Sequence, residues 1–198
     1  MPKPVVGPRR RTNPLIWCVA IICTILTVAV IITGIAVFIG YLAIRPKIPQ
    51  ITVKSAQLDL VDYDQAGILT VRVIIIIKAE NDNEKAHASF YDTDFVLGFQ
   101  GIKLDILRAP PFDVKKNSSL EYIFIAESKP VALDPEEQDS IDFALSQNVV
   151  NFYLKGTCRT RWRVGPLGSV KFWLHLDCRL QLPRNGDVVD PKCSTKSK

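Results

Sequence analysis

The sequence predicts a mainly β fold, an antiparallel β-sandwich with one short helix, placed after a single transmembrane helix. Three observations predict it. Residues 15–44, "LIWCVAIICTILTVAVIITGIAVFIGYLAI", contain no charged side chain. Beyond them, apolar residues recur at every second position in successive runs separated by Gly, Pro and Asn-Asp clusters, which is the pattern of half-buried strands joined by turns. One later segment alone changes to helical spacing.

The elements follow in order. Residues 1–14 are expected to be a short, disordered basic tail. The apolar run at 15–44 exceeds the ~20 residues needed to cross a hydrocarbon core. It is also too long for the ~7–15-residue apolar region of a cleaved secretory signal, so it reads as an uncleaved anchor. "RPKIPQ" (45–50) is a stiff linker, because proline cannot continue a helix. In the next stretch Ile51 and Val53 share one face, whereas Ala56, Leu58 and Leu60 follow the other phase. A slip of one residue is what a β-bulge produces.

"ILTVRVIIIIK" (68–78) contains four consecutive isoleucines and could be mistaken for a second span. It is too short and carries Arg72, and its β-branched residues suit a pleated surface. It is predicted as a central strand buried largely on both faces. Tyr91, Thr93, Phe95 and Leu97 then alternate, "GFQG" turns the chain, and Ile102, Leu104 and Ile106 return before Pro110-Pro111. Leu120, Tyr122, Phe124 and Ala126 form another alternating set.

"LDPEEQDSIDFALSQN" reads as the helix. Asp134 is placed at its N-cap, Pro135 in the first turn and Glu136 and Glu137 near its positive end, with Ile141, Ala144, Leu145 and Asn148 at helical spacing. The last hairpin is the cleanest. Phe152, Leu154, Cys158, Trp162 and Val164 share a face, and after "GPLG" strict alternation runs from Val170 to Leu182. The sandwich spans residues 51–183. Residues 184–198 have few apolar side chains and are expected to be a flexible tail.

Charge and cysteine narrow the function. Lys3, Arg9, Arg10 and Arg11 precede the span with no acid, whereas 21 basic and 20 acidic residues follow it. The near-neutral domain removes the electrostatic case for nucleic acid. The basic tail predicts a cytosolic N-terminus with residues 45–198 outside, and Arg9, Arg10 and Arg11 in contact with inner-leaflet lipid. Asn117-Ser118-Ser119 is a glycosylation sequon. Three cysteines beyond the span, Cys158, Cys178 and Cys193, permit at most one disulfide among themselves. Both Cys158–Cys178 and Cys178–Cys193 are open pairings.

No G-x-S-x-G, H-E-x-x-H, C-x-x-C or phosphate-binding glycine loop occurs, and neither His87 nor His175 has an evident nucleophile beside it. Enzymatic chemistry, a cofactor and a metal are not expected. The outward face of the last hairpin is more informative. Lys155, Arg159, Arg161 and Arg163 on one strand share it with Lys171 and Arg179 on the other, against Asp177 alone. Arg161 is predicted to lie near Trp173. Like charges across a sheet oppose folding, so the stripe points to an anionic partner: acidic cell-wall polysaccharide, lipid headgroups or an acidic protein.

Several of these segments, taken in order, carry a resemblance. "LTVRVIIIIKAENDNEKAHASFYDTDFVLGFQGIKL", "PPFDVKKNSSLEY" and "VNFYLKGTCRTRWRVGPLGSVKFWLHLDCRLQLP", with the upstream anchor, resemble the plant late-embryogenesis-abundant group 2 proteins. Within them the chain is similar to the membrane-anchored, harpin-induced and non-race-specific disease-resistance-like branch. The family often has Asn-Pro-Asn where this chain has Asn81-Asp82-Asn83; Asn and Asp still favour a turn there. The resemblance implies a fibronectin- or immunoglobulin-like sandwich on the plasma membrane of a plant cell, without catalytic residues, in defence (the hypersensitive response) or abiotic stress. A second expectation is a lipid-handling domain, suggested by the two-sided apolar character of residues 68–77.

Overall fold

The computed structural model describes residues 14–44 (side chains through 40), 47–84, 86–163 and 168–197. The tail arginines Arg9, Arg10 and Arg11, Arg45 of the linker and Val164 at the last turn lie outside the described residues. The chain divides into two compact units, Met1–Arg45 and Pro46–Lys198.

The first unit contains helix α1, Pro14–Ile44. At 1.5 Å per residue its 31 residues extend about 46 Å, more than the ~30 Å of a bilayer core. Its described side chains are exposed through Ile39. The hydroxyls of Thr24, Thr27 and Thr33 donate to the carbonyls of Ala20, Cys23 and Ala29, each at 2.8 Å, which satisfies them within the helix. The helix is long and apolar enough to cross a membrane.

The second unit is built from two open antiparallel sheets. One contains β1 (Gln50–Tyr63), β2 (Ile68–Asn81) and β6 (Ser118–Glu127) in that order, with β7 (Val131–Ala132) also on β2. The other runs β10 (Cys193–Ser197), β9 (Ser169–Pro183), β8 (Val149–Arg163), β3 (Ala88–Phe99) and β4 (Ile102–Leu107), with β5 (Phe112–Val114) on β3. The chain changes sheet between β2 and β3 rather than closing a barrel, as a sandwich of the expected class requires. Inward rows such as Leu69, Val71, Val73 and Ile75 from the first sheet meet Phe95, Leu97, Leu154 and Leu176 from the second, all at most 2% exposed.

The bulge expected in β1 is present between Val53 and Ser55, and it lets Ile51, Val53, Ala56 and Leu58 all face inward. A second shift between Leu58 and Leu60 turns Leu60 outward, at 42% exposure. β2 differs from expectation. Its inner face is buried, but Ile74 and Ile76 are only half-buried. They pair with Ile125 and Ile123 of β6, which are themselves exposed. Nothing among the described residues covers that side, so the strand is buried on one face. β3 carries a further bulge at Asp92, whose φ is +50°. It reverses the phase, so that Phe90 and then Thr93, Phe95 and Leu97 point inward while Tyr91 faces out. The predicted face joining Tyr91 to Thr93 is thereby corrected.

α2 (Pro135–Ser146) starts as predicted at Asp134. The Asp134 carboxylate accepts from the Glu137 N–H, and the Glu137 carboxylate accepts from the Asp134 N–H, each at 2.9 Å, which satisfies two donors that helix formation leaves open. Ile141 and Ala144 bury the inner face. Asn148 is not on the helix. It follows the C-cap with φ +57°, a left-handed position that Asn tolerates.

Asn81-Asp82-Asn83 does more than turn the chain. Asn81 is fully buried, and its amide donates to the carbonyls of Ala86, Val114 and Lys115. Asn83 accepts the Lys47 N–H at 2.8 Å and donates to the Lys47 carbonyl, holding the entry strand by both backbone groups. Its side chain also donates to Asn81 Oδ1 at 2.9 Å. Only position 82 is exposed, so Asp fits there without touching the clamp.

The segment after residue 183 is ordered structure, not a flexible tail. Ala56 and Val189 exchange two backbone hydrogen bonds of 2.9 Å, Pro191 is buried, and β10 pairs with β9 from Cys193↔Cys178 to Ser197↔Leu174. Thr195 Oγ1 donates to the Ile51 carbonyl at 2.7 Å. Hydrogen bonds and a cross-link hold what the sparse apolar side chains could not.

Candidate binding face

β8 and β9 are interior strands of the second sheet, paired from Val149↔Pro183 to Arg163↔Ser169. Their alternation sends one row into the core and the other to solvent. The six basic residues picked from sequence, Lys155, Arg159, Arg161, Arg163, Lys171 and Arg179, all lie on the solvent side and are exposed. They are not equally free. Lys155 Nζ lies 3.4 Å from Asp177 Oδ2 and 6.0 Å from the Tyr153 ring centroid. Arg159 donates to Asp92 at 3.3 Å and lies 4.5 Å from the Trp173 ring centroid.

The cation over Trp173 is therefore Arg159, not Arg161. The hairpin closes with Arg159 directly opposite Trp173 and Arg161 opposite Lys171, two residues from the expected register. Arg161 and Lys171, a like-charged cross-strand pair, form no ion pair within 4.0 Å among the described residues. They border a hollow of about 450 Å³ that Asp113 also lines.

The cysteines separate by register. Cys178 sits directly opposite Cys193 with a Cα separation of 4.3 Å, and the two are bonded. Cys158 faces Leu174 across the hairpin, so the Cys158–Cys178 pairing does not form. Its sulfur lies 3.3 Å from Thr93 Oγ1. Burial pushes the Cys158 thiol up, against the opposing hydrogen bonds from Thr93 and the Tyr91 backbone. Asn117 occupies an exposed turn at φ +47° and donates its N–H to the Asn83 carbonyl at 3.0 Å. His175 is exposed, opposite Thr157 and Lys196.

The face also contains a feature that the sequence did not reveal. An open trough of about 1140 Å³ runs over Tyr153, Lys155, Asp177, Arg179 and Gln181, and residues 189–194 form one wall. A shallower hollow of about 450 Å³ continues it past Asn151 and Gln100. Tyr153 is opposite Arg179, and Asn151 is opposite Gln181. The Tyr153 hydroxyl donates to the Ile102 carbonyl at 3.2 Å, and its ring occupies the space over Gly98, where a Cβ would come within 2.1 Å of it. Gln100 (φ +46°) and Gly101 (φ +93°) form the tight β3–β4 turn beside it, the backbone hand that two-residue hairpin loops prefer. Exposed amides carry no periodic signal, and the wall belongs to a segment without strand patterning. Cys193 was its only flag.

By contrast, the apolar space between the sheets near Phe95, Phe112 and Phe124 is about 10 Å³, too little for an acyl chain. Among the described residues no group of three or more His, Cys, Asp or Glu is placed to hold a metal.

No family model matches the chain. Among curated proteins it is similar to NDR1/HIN1-like protein 12 of Arabidopsis thaliana, 25% identical over 162 residues that cover 80% of this chain and 76% of the relative. Among solved structures, a protein from Archaeoglobus fulgidus shares 9% identity over 74% of this chain and 96% of its own, with a TM-score of 0.29. A solution structure of a late-embryogenesis-abundant protein shares 13% identity over 81% of this chain and 88% of its own, with a TM-score of 0.27. The fold assignment rests on the strand pairing described above and not on these two. The curated relative agrees with the resemblance carried by the ordered strand motifs: over most of its length this chain is similar to an NDR1/HIN1-like protein.

Proposed function

We propose that this chain is a non-enzymatic, single-pass plasma-membrane protein of a plant cell. Its sandwich stands outside and binds an anionic partner in defence (the hypersensitive response), in abiotic stress response, or in both. The observation that carries the binding role is the outer face of β8 and β9, where Arg161 is opposite Lys171 with Arg163 two residues beyond. Like charges directly opposite each other oppose folding, and an anionic ligand would reverse that effect on binding. The apolar helix α1 supports the anchor. Similarity to an NDR1/HIN1-like protein supports the defence or stress setting.

Two measurements test the reading. Protease added to intact cells should remove the domain from its anchor; a domain that survives until the cells are permeabilised overturns the outside placement. The double substitution Arg161→Glu with Lys171→Glu should abolish retention on an anionic matrix at physiological salt. Retention equal to wild type overturns the binding face.

A further inference from the structure

The trough on the second sheet narrows the class of ligand. Its floor is formed by β8 and β9, each paired on both sides, so their backbone groups are taken and no free edge is offered to an extended peptide. Its lining is part apolar and part polar, and along it Asn151, Gln181 and Gln100 present flat amides, each both donor and acceptor. Tyr153 is fixed at the centre by its hydrogen bond and by the space above Gly98. Beside it Arg179 forms no ion pair within 4.0 Å among the described residues, whereas Lys155 is balanced by Asp177. The wall at 190–194 is fastened to the floor by the Cys178–Cys193 bond.

A guanidinium fork recognises a carboxylate with two parallel hydrogen bonds, and paired amides recognise vicinal hydroxyls. A ring held flat on a sheet face offers a platform to another ring. Uronate sugars combine carboxylate, hydroxyls and ring in one repeating unit. From Asn151 to Lys155 the floor extends about 13 Å along the strand, room for a short run of sugar rings.

We propose that this trough binds an acidic polysaccharide of uronate sugars. Arg179 takes a ring carboxylate, Asn151 and Gln181 take neighbouring hydroxyls, and Tyr153 packs against a sugar ring. The proposal rests on the anion-binding reading of this face and adds Arg179 to Arg161 and Lys171 as the residue that takes the ring carboxylate.

The test uses the full-length protein in nanodiscs of phosphatidylcholine, with chelator and physiological salt. It is titrated calorimetrically with an oligogalacturonate, a neutral cello-oligosaccharide and a poly-glutamate of matched charge. Arg179→Gln should weaken oligogalacturonate binding ~10- to 100-fold, the scale of a lost charge-assisted hydrogen-bond pair. Gln181→Ala should weaken it by a smaller factor. Arg161→Gln removes the same charge from the part of the face beyond the trough and should weaken binding less than Arg179→Gln does. Arg179 and Arg161 are exposed, and unchanged circular dichroism checks that the fold is intact. If Arg179→Gln and Arg161→Gln weaken binding equally, or poly-glutamate binds as tightly as the glycan, the trough proposal fails and the charged face stands. If the oligogalacturonate does not bind and poly-glutamate does, the outcome is the same. If neither polyanion binds, both fail.

Discussion

At Asn83 one carboxamide meets both backbone polar groups of Lys47 and the side-chain oxygen of Asn81. It is 6% exposed, so water cannot replace it. Asn83→Ala leaves these partners unsatisfied in a buried setting, and we expect a loss of about 2–3 kcal/mol, read as a lower denaturation midpoint with unchanged slope. Asn83→Asp keeps the acceptor but turns a charged oxygen toward two others, so it should cost more than alanine. Cys158 gives a second prediction at this scale. Its thiol is buried and its pKa raised, so at neutral pH iodoacetamide should modify it far more slowly in the native protein than in denaturant. Equal rates would contradict the packing. The sign for stability follows from linkage. Below the ordinary thiol range both states hold the proton. As pH rises through it the unfolded chain ionises first, so the native state loses stability from about pH 8.5 upward.

Among the elements, β10 depends most on a single bond. Cys193→Ser opens a cross-link with a sequence separation of 15, and a loop of that size implies a loss of about 3 kcal/mol. The strand has few apolar side chains to compensate, so hydrogen exchange should show residues 189–197 opening before β8. If they stay as protected as in wild type, the cross-link does not hold them. Asp134→Ala removes one half of the capping box and should cost about 1 kcal/mol, measured as a shift in melting temperature. These two elements also show where the sequence was legible. α2 could be read from Asp134, Pro135 and Glu137 because capping is chemistry between near neighbours in the chain. β10 could not, because what orders it is Cys178, Ala56 and Ile51, distant in sequence. The phase errors have the same origin: the bulge at Asp92 is set by pairing between β3 and β8, and alternation alone carries no trace of it. On the candidate face the solvent-side position of all six cations followed from period two. The pairing of Arg159 with Asp92 and of Lys155 with Asp177, and the amides of the trough, depended on register.

At the scale of the whole molecule, the orientation proposal turns on a small charge difference. Lys3, Arg9, Arg10 and Arg11 precede the span, and Arg45, Lys47 and Lys54 follow it closely. Because Lys and Arg near a span favour the cytosolic side, Arg9→Gln, Arg10→Gln and Arg11→Gln together leave Lys3 against three cations and should invert a measurable fraction of the molecules. Asn117 supplies the readout. It lies exposed on a turn of the domain, and a sequon is glycosylated only where the domain has crossed into the secretory lumen. Wild-type protein should therefore carry a glycosidase-sensitive mass increment that Asn117→Gln removes, and the triple tail variant should carry it on fewer molecules. Full modification of the tail variant would show that its arginines do not set orientation. An unmodified wild type whose domain also resists external protease would place the domain in the cytosol, and the glycan trough would then face the wrong compartment.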